Sequence, residues 1–191
     1  AEPLAVCLHA VKQAGKIFGQ KILITGSGPI GTLCVAVARR AGAEEIIVTD
    51  ISKNALMFSN SVGADKVIHV LEEHDELKRY QFNKGYFDIA IECSGSEKGI
   101  SDSINCLNQK CTLIQLCLGG DVLIPLVLVT TKELNLRGSF RFHLEFELAV
   151  NMMKKKLINV NPLITHKLDF KSAKEAFELA MNNEEQSMKV Q

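Results

Sequence analysis

The 191-residue sequence predicts an α/β fold, with a doubly wound parallel sheet of six strands and helices on both faces. Three observations lead to this prediction. Short apolar runs alternate with longer segments in which apolar residues recur at helical spacing. A glycine-rich turn at residues 26–31 follows the apolar run at residues 22–25. Asp50 ends the next run, so strand, turn, helix, strand and acid come in the order of a βαβ unit.

The apolar runs define the strands, because four to eight apolar residues between turns are typical of strands buried on both faces. The predicted strands are residues 22–25, 46–49, 66–70, 87–93, 111–118 and 134–138. Right-handed crossovers give these strands the order 3-2-1-4-5-6 of a Rossmann sheet. In that order a ligand crevice forms at the carboxyl ends of the strands, which places the loops after them at the site.

Amphipathic spacing and capping residues predict the helices between these strands. They cover residues 3–20, 30–41, 53–62, 97–107, 143–155 and 170–181, the last of them starting after Asp169. Residues 72–83 are too polar to assign, and residues 163–168 are a possible strand. The two ends of the chain, residues 1–20 and 159–191, lie outside the alternating strand and helix pattern of residues 21–158. We expect both ends to pack against another domain outside this chain.

The turn GSGPIG has glycines at the three positions where a dinucleotide site needs them. Gly26 makes the tight turn, Gly28 lets the backbone approach a pyrophosphate, and Gly31 lets helix and strand pack closely. Pro29 takes the first helical position, and the positive end of the helix dipole faces the phosphates. Asp50 can accept hydrogen bonds from the adenosine ribose and repels a 2′-phosphate, which favours NAD over NADP. The alternative is a turn that only caps a helix in some other α/β protein.

Charge and hydropathy exclude several classes of protein. Lysine plus arginine equal aspartate plus glutamate at 22 each, so the chain has no electrostatic footprint for nucleic acid or an anionic membrane. The apolar run at residues 122–129, interrupted by Pro125, is far shorter than the ~20 residues that span a bilayer. We expect no signal peptide, because the N-terminus lacks the charged and apolar regions of one. The scattered cysteines favour reduced thiols and a cytoplasmic location over a disulfide framework or a zinc site.

Motifs distributed over nearly the whole chain resemble one enzyme family. They are EPLAVCLHA at residues 2–10, GSGPIG at 26–31, VGAD at 62–65, FDIAIECSG at 87–95, LRGSFRF at 136–142 and INVNPLITHKLDFKSAKEAFELA at 158–180. Together they are similar to the cofactor-binding half of zinc-dependent medium-chain alcohol and polyol dehydrogenases. The last two motifs resemble the branch of that family that acts on sorbitol and L-idonate.

The resemblance implies an oxidoreductase in which a catalytic zinc polarises an alcohol and hydride passes to the nicotinamide of NAD. The main zinc ligands of the family come from a GroES-like catalytic lobe that this chain lacks. Residues 1–20 then correspond to a helix linking to that lobe, 21–158 to the NAD-binding domain, and 159–191 to a segment returning toward the lobe. No catalytic residue is expected in this chain, which alone should be inactive. Glu2 matches a carboxylate that approaches zinc or its water, or else is only the charge at the start of a helix.

The resemblance also assigns residues to the site. The expected cofactor-binding residues are Gly26, Gly28, Pro29, Ile30, Gly31, Asp50, Cys93, Leu116, Cys117, Leu118, Ser139, Phe140 and Arg141. Residues 116–118 match the strand end near nicotinamide, and residues 139–141 match the loop that holds its carboxamide and ribose. Arg141, Phe142 and Glu2 match substrate-side positions. An arginine suits a substrate with hydroxyls or a carboxylate, although Arg141 could also be a simple surface residue.

Two positions depart from the family pattern. Ala55 stands where a basic residue often contacts the adenosine, and Lys53 is a possible substitute. Phe142 stands where sorbitol dehydrogenases commonly have tyrosine, which makes sorbitol a less favoured substrate. The sequence therefore predicts zinc-assisted, NAD-dependent oxidation of a secondary hydroxyl in a polyol or sugar acid such as L-idonate. The alternatives are a sorbitol- or threonine-type dehydrogenase and a non-catalytic dinucleotide-binding module.

The expected partners are a small-molecule substrate and further copies of the chain, with neither nucleic acid nor a membrane. The resemblance implies a homodimer or a homotetramer. It places residues 122–129 near the edge where subunits join, and internal packing of this run is the alternative.

Overall fold

The computed structural model describes residues 1–182 and 187–191. Its strands are β1 (Lys21–Thr25), β2 (Glu45–Asp50), β3 (Lys66–His69), β4 (Phe87–Glu92), β5 (Leu107–Gln115) and β6 (Asn135–Gly138). Its α-helices are α1 (Glu2–Gln13), α2 (Pro29–Arg40), α3 (Lys53–Ser61), α4 (His74–Lys78), α5 (Glu97–Cys106), α6 (Leu126–Thr131), α7 (Glu145–Lys154) and α8 (Ala173–Asn182). Short 3-10 segments cover Arg79–Lys84, Asn161–Leu163 and Phe170–Ser172.

The six strands form one parallel sheet in the order β3-β2-β1-β4-β5-β6, which confirms the predicted doubly wound fold. β1 lies at the centre, where Ile22 pairs with Ile46 of β2 on one side and with Ile89 of β4 on the other. The order of the strands reverses between β1 and β4, so a ligand crevice opens at their carboxyl ends. These central strands are buried on both faces, which explains why their sequences are continuous apolar runs.

Helices cover the two faces of the sheet, and successive residues of each strand point to opposite apolar layers. Ile22 and Ile24 belong to the layer shared with α1 and α2, whereas Leu23 belongs to the layer shared with α5. Each fully buried isoleucine or leucine contributes ~1.5–3 kcal/mol.

The N-terminal helix has its packing partners within the chain. α1 packs against α2 and α7, and its buried face belongs to the same apolar layer as β1. The helix ends at Gln13, not at residue 20 as predicted. The reason is that Gly15 and Gly19 have φ angles of 89° and 73°, which an α-helix does not accommodate.

Two elements near the predicted site have bounds that differ from the predicted ones. β5 starts at Leu107 and ends at Gln115, which leaves residues 116–118 in the loop that follows. α7 starts at Glu145, and the carboxylate of this residue accepts the N–H of His143 ahead of the helix. Both differences lengthen the loops at the carboxyl edge of the sheet.

The possible strand at residues 163–168 is wrong. A 3-10 segment and one isolated bridge, between His166 and Val190, form there among the described residues. The helix predicted after Asp169 is confirmed, since the Asp169 side chain accepts the N–H of Lys171 and α8 follows.

The two regions with ambiguous sequence patterns form short helices. The polar residues 72–83 fold largely as α4 and a 3-10 segment, anchored by the buried Leu77. The apolar run at residues 122–129 becomes helical at Leu126, directly after Pro125. Among the described helices, none combines the length and apolar character needed to cross a bilayer.

Candidate functional site

The turn between β1 and α2 is shaped by two glycines that no larger residue can replace without strain. Gly26 has a φ of 90°, and a Cβ there would lie 2.7 Å from the backbone nitrogen of Ser94. A Cβ at Gly31 would overlap the carbonyl oxygen of Gly26, so α2 packs directly against the turn. A Cβ at Gly28 would meet no atom within 4 Å. Gly28 therefore faces open space beside the first N–H groups of α2, where an anion can approach the backbone.

The Asp50 carboxylate lies at the end of β2, next to this turn. Its Oδ2 accepts the N–H of Ser27 at 2.5 Å, and its Oδ1 accepts the N–H of Ser52 at 2.7 Å. These charge-assisted bonds fix the side chain and tie the glycine turn to the start of α3. Asp50, Gly26 and Gly28 line one cleft of about 690 Å³. A carboxylate offers about four acceptor positions, so Asp50 can still accept hydroxyls of a ligand.

A cluster of thiols lies behind the glycine turn. The thiol of Cys7 donates to the carbonyl oxygen of Ile30 at 3.3 Å, in the first turn of α2. Hydrogen bonding with Cys34, together with burial, raises the pKa of Cys93 well above that of an ordinary thiol. Hydrogen bonding with Cys7 and burial do the same for Cys34. Cys34 and Cys93 are therefore neutral packing groups rather than nucleophiles, and Cys93 also lines the cleft.

Glu92, which sequence reasoning missed, organises the loop after β4. Its side chain is fully buried, and the carboxylate accepts the N–H groups of Ser94 at 2.8 Å and Gly95 at 3.0 Å. It also accepts the side-chain amide of Gln115 at 2.8 Å, from the end of β5. A buried carboxylate needs such donors, because burial without them is costly. The available sequence signal was an acid at the end of a buried apolar strand, just before a serine and glycine loop.

The loops after β5 and β6 meet the β4 loop at the same edge of the sheet. Leu116 and Cys117 both donate their N–H groups to the carbonyl oxygen of Glu92, at 3.0 and 3.1 Å. The N–H of Ser139 donates to the carbonyl oxygen of Gln115 at 2.9 Å. The hydroxyl of Ser139 is buried and has no hydrogen-bond partner among the described residues. An unpaired buried hydroxyl next to the crevice can pair with a polar group of a ligand.

The side chains that project from these loops differ in accessibility. Leu118 and Phe140 are 79% and 60% exposed. Arg141 has a positive φ of 54°, and its guanidinium lies 5.2 Å from the centre of the Phe140 ring, within cation–π range. Phe142 is half-buried, with its ring 5.7 Å from that of Phe146. Arg141 is thus accessible to a ligand, whereas Phe142 is held in packing.

The loop that carries Arg141 is anchored from behind by Glu145. This buried carboxylate accepts the N–H of His143 at 2.9 Å and the Nζ of Lys12 at 3.1 Å, and the Nδ1 of His9 lies 3.4 Å away. Burial alone would raise the pKa of Glu145, but the donors together outweigh it and lower the pKa to about 2. The carboxylate is therefore charged at neutral pH and joins α7 to α1.

Comparison with known proteins places this arrangement in a family. Residues 29–155 match the family model described as zinc-binding dehydrogenase. The chain belongs to the zinc-binding dehydrogenase family. L-idonate 5-dehydrogenase (NAD(P)(+)) of Escherichia coli is 35% identical over 192 aligned positions, which cover 100% of this chain and 55% of that protein. Sorbitol dehydrogenase of Ovis aries is 36% identical over 181 positions, which cover 93% of this chain and 51% of that protein.

Solved structures of zinc-binding dehydrogenases share the fold. The structure of E. coli L-idonate 5-dehydrogenase superposes with a TM-score of 0.94 at 35% identity, covering 99% of this chain and 54% of that one. A Sinorhizobium meliloti protein described as a zinc-binding dehydrogenase, bound to NADP, gives a TM-score of 0.84 at 26% identity, covering 92% and 53%. The chain spans about half the length of the curated relatives it matches.

The described part of this chain does not form a metal site by itself. Within residues 1–182 and 187–191, no group of three or more His, Cys, Asp or Glu residues could hold a metal ion. Glu2, the predicted zinc-side carboxylate, is exposed at the first residue of α1. A zinc ion would therefore need ligands beyond these residues.

Lys53, the possible adenosine contact, is paired elsewhere. Its Nζ lies 2.6 Å from Oε2 of Glu72, a bond that lowers the pKa of Glu72. Lys53 and Glu72 line a smaller pocket of about 310 Å³, separate from the cleft that Asp50 lines. The structure thus directs the ammonium away from that cleft.

Proposed function

We propose that this chain is the cofactor-binding part of an NAD-dependent dehydrogenase. The observation that carries the proposal is the open backbone at Gly28, which shares one cleft with the Asp50 carboxylate beside the N-terminus of α2. The pyrophosphate would lie at this helix N-terminus, where N–H groups and the helix dipole favour an anion. The adenosine ribose would donate its hydroxyls to Asp50.

The nicotinamide would lie further along the same edge of the sheet. The proposed cofactor-binding residues are Gly26, Gly28, Pro29, Ile30, Gly31, Asp50, Cys93, Leu116, Cys117, Leu118, Ser139, Phe140 and Arg141. The unpaired hydroxyl of Ser139 suits the carboxamide, which both donates and accepts hydrogen bonds. Glu92 is a positioning residue, because it holds the loops after β4 and β5 together.

We also propose that the whole protein oxidises a secondary hydroxyl of a polyol or sugar acid, with L-idonate as the first candidate. The identity to E. coli L-idonate 5-dehydrogenase supports this substrate, and the accessible Arg141 suits hydroxyls or a carboxylate. Bound NAD would accept hydride from the alcohol carbon, leaving a ketone, NADH and a proton, while zinc would lower the pKa of the alcohol. Arg141, Phe142 and Glu2 are the proposed substrate-side residues, and Glu2 alone would approach the metal.

The proposed domain plan places the zinc ligands in a GroES-like lobe. Residues 1–20 would link to that lobe, residues 21–158 would bind NAD, and residues 159–191 would return toward the lobe. Several exposed apolar side chains near the C-terminus, Phe170, Phe177 and Met181, support a further packing partner for that segment.

The full-length protein tests this function when assayed for NAD reduction with L-idonate, sorbitol and threonine. Turnover of L-idonate that a zinc chelator abolishes is the expected result, and the 191-residue chain alone should bind NADH without turnover. Faster turnover of sorbitol or threonine than of L-idonate would assign that alcohol as the substrate instead. Sorbitol is the second candidate because of the sequence identity to sorbitol dehydrogenase. Binding of NADH without turnover of any alcohol would indicate that the protein is a non-catalytic dinucleotide-binding module.

We propose a homodimer or homotetramer that joins at the β6 edge of the sheet. All four residues of β6 are exposed, and Leu123 and Val127 of the adjacent apolar run are 79% and 76% exposed. Burial of such a patch between copies would be favourable. Sedimentation should show an oligomer that Val127→Asp dissociates and that Met57→Asp, an exposed apolar site on α3, leaves intact. A monomeric unaltered protein at high concentration would contradict the interface.

We also propose that the protein is located in the cytoplasm. All six cysteines are free in the structure, which suits a reducing compartment. Fractionation of cells that make the protein would test it, with recovery outside the cytoplasm as the contrary result.

A further inference from the structure

Glu72 lies between two groups at the adenosine end of the proposed site. Its Oε2 is 2.6 Å from the Nζ of Lys53 and 3.8 Å from the Nδ1 of His69. His69 is in turn tied to the loop after Asp50, because its Nε2 donates to the carbonyl oxygen of Ile51 at 2.8 Å. A carbonyl oxygen only accepts, so Nε2 carries the proton in this bond. Glu72 is therefore placed next to the loop that presents Asp50.

The Lys53 ammonium is the cation that Glu72 holds in this position. It comes three residues after Asp50, in the first turn of α3. In dinucleotide folds a basic side chain near the ribose acid accommodates the 2′-phosphate of NADP. Here the ammonium pairs with Glu72 in the neighbouring pocket. Lys98, a lysine that does line the Asp50 cleft, is occupied as well, because it donates to Asp102 at 2.5 Å.

We propose that Glu72 is a specificity-determining residue, which binds Lys53 and so keeps its ammonium away from the ribose 2′ position. The side chain thereby preserves a preference for NAD over NADP that Asp50 initiates. This inference rests on the dinucleotide site of the proposed function. Cofactor choice varies among the relatives, since the E. coli relative is named for NAD(P)(+) and the S. meliloti structure contains NADP.

The test measures the affinity of the chain for two probes that lack nicotinamide, ADP-ribose and 2′-phospho-ADP-ribose, by calorimetry at low salt. Glu72→Gln keeps the size of the side chain and removes its charge, which frees Lys53 to reach the 2′-phosphate. Affinity for the phosphorylated probe should rise about fivefold, the factor expected from one exposed charge pair. Affinity for ADP-ribose should stay within about twofold, and the gain should shrink at high salt.

Two variants separate release of Lys53 from a general loss of negative charge. Glu73→Gln removes the same charge from the next residue, whose carboxylate accepts the backbone N–H of His69 at 3.0 Å, and leaves the Lys53–Glu72 pair intact. It should change neither affinity by more than about twofold. Lys53→Met in the Glu72→Gln background should return the affinity for the phosphorylated probe to that of the unaltered chain.

The outcomes that overturn the inference differ from those that overturn the site. Equal gains for Glu72→Gln and Glu73→Gln, or a gain that survives Lys53→Met, would show that Glu72 does not act through Lys53. An unchanged affinity in Glu72→Gln would overturn the inference as well. Failure of the unaltered chain to bind ADP-ribose would refute the dinucleotide site, and the inference with it.

Discussion

Replacement of Glu92 by glutamine should destabilise the chain by about 1.5–3 kcal/mol, although the side chain keeps its size. One carboxylate oxygen accepts the N–H of Ser94, the other accepts the amide of Gln115, and both lie within 3.1 Å of the N–H of Gly95. Glutamine keeps only one acceptor oxygen. Whichever way its amide turns, the NH2 group faces the N–H of Ser94 or the amide of Gln115, and that donor loses its bond to a charged acceptor.

The assay is equilibrium unfolding in urea, where a loss of this size is readily measured against a total of ~5–15 kcal/mol. Glu44→Gln, at an exposed position, should change the free energy of unfolding by less than about 0.5 kcal/mol. Glu92→Gln should cost less in a Gln115→Met background, because the amide that one oxygen serves is then absent. A Glu92→Gln chain as stable as the unaltered one would refute the reasoning that this carboxylate holds the loops together.

Three further predictions concern other parts of the site. Asp50→Ala should weaken NAD binding about tenfold or more and NADP binding less, because it removes the ribose acceptor and also the charge that repels a 2′-phosphate; equal losses in calorimetry would show that Asp50 does not contact the ribose. Gly31→Ala should lower the thermal midpoint by about 3 °C or more, because its Cβ overlaps the Gly26 carbonyl; an unchanged midpoint would contradict the close packing. Glu145, whose pKa of about 2 lies below the ordinary 4.5, stabilises the fold above about pH 4.5 and loses this contribution as pH falls toward 2. Glu145→Gln should therefore flatten the dependence of stability on pH in that window, and a persistent slope would assign it to other groups.

The sheet could be predicted from the sequence because its signals are local. Strands buried on both faces are continuous apolar runs, and the handedness of crossovers then leaves few possible orders. The glycine turn is local only in part: a Cβ at Gly31 would overlap the carbonyl oxygen of nearby Gly26, whereas Gly26 itself lies against Cys93 and Ser94 after β4. The strand order also places residues 93, 116–118 and 139–141 at the carboxyl edge of the sheet, as the predicted fold requires, and their roles in binding stay a prediction.

The features that were missed depend on contacts between distant residues. Glu92 is stabilised by Gln115, 23 residues later, so its burial could not be inferred from β4 alone. Lys53 pairs with Glu72, a residue beyond β3, in a pocket other than the one that Asp50 lines. The long N-terminal helix was wrong for a local reason, since Gly15 was available as a stop signal.

Binding of NADH to the unaltered chain and to Gly28→Ala tests the central claim most directly. A Cβ at Gly28 meets no atom within 4 Å, and its backbone, with φ −65° and ψ −174°, is one that alanine adopts, so the variant should unfold within about 3 °C of the unaltered chain despite the weaker N-cap. The same Cβ would occupy the space in which the pyrophosphate approaches α2, and affinity should fall about tenfold or more. Equal affinity of the two proteins, or no binding of NADH by the unaltered chain, would contradict a dinucleotide site at this turn.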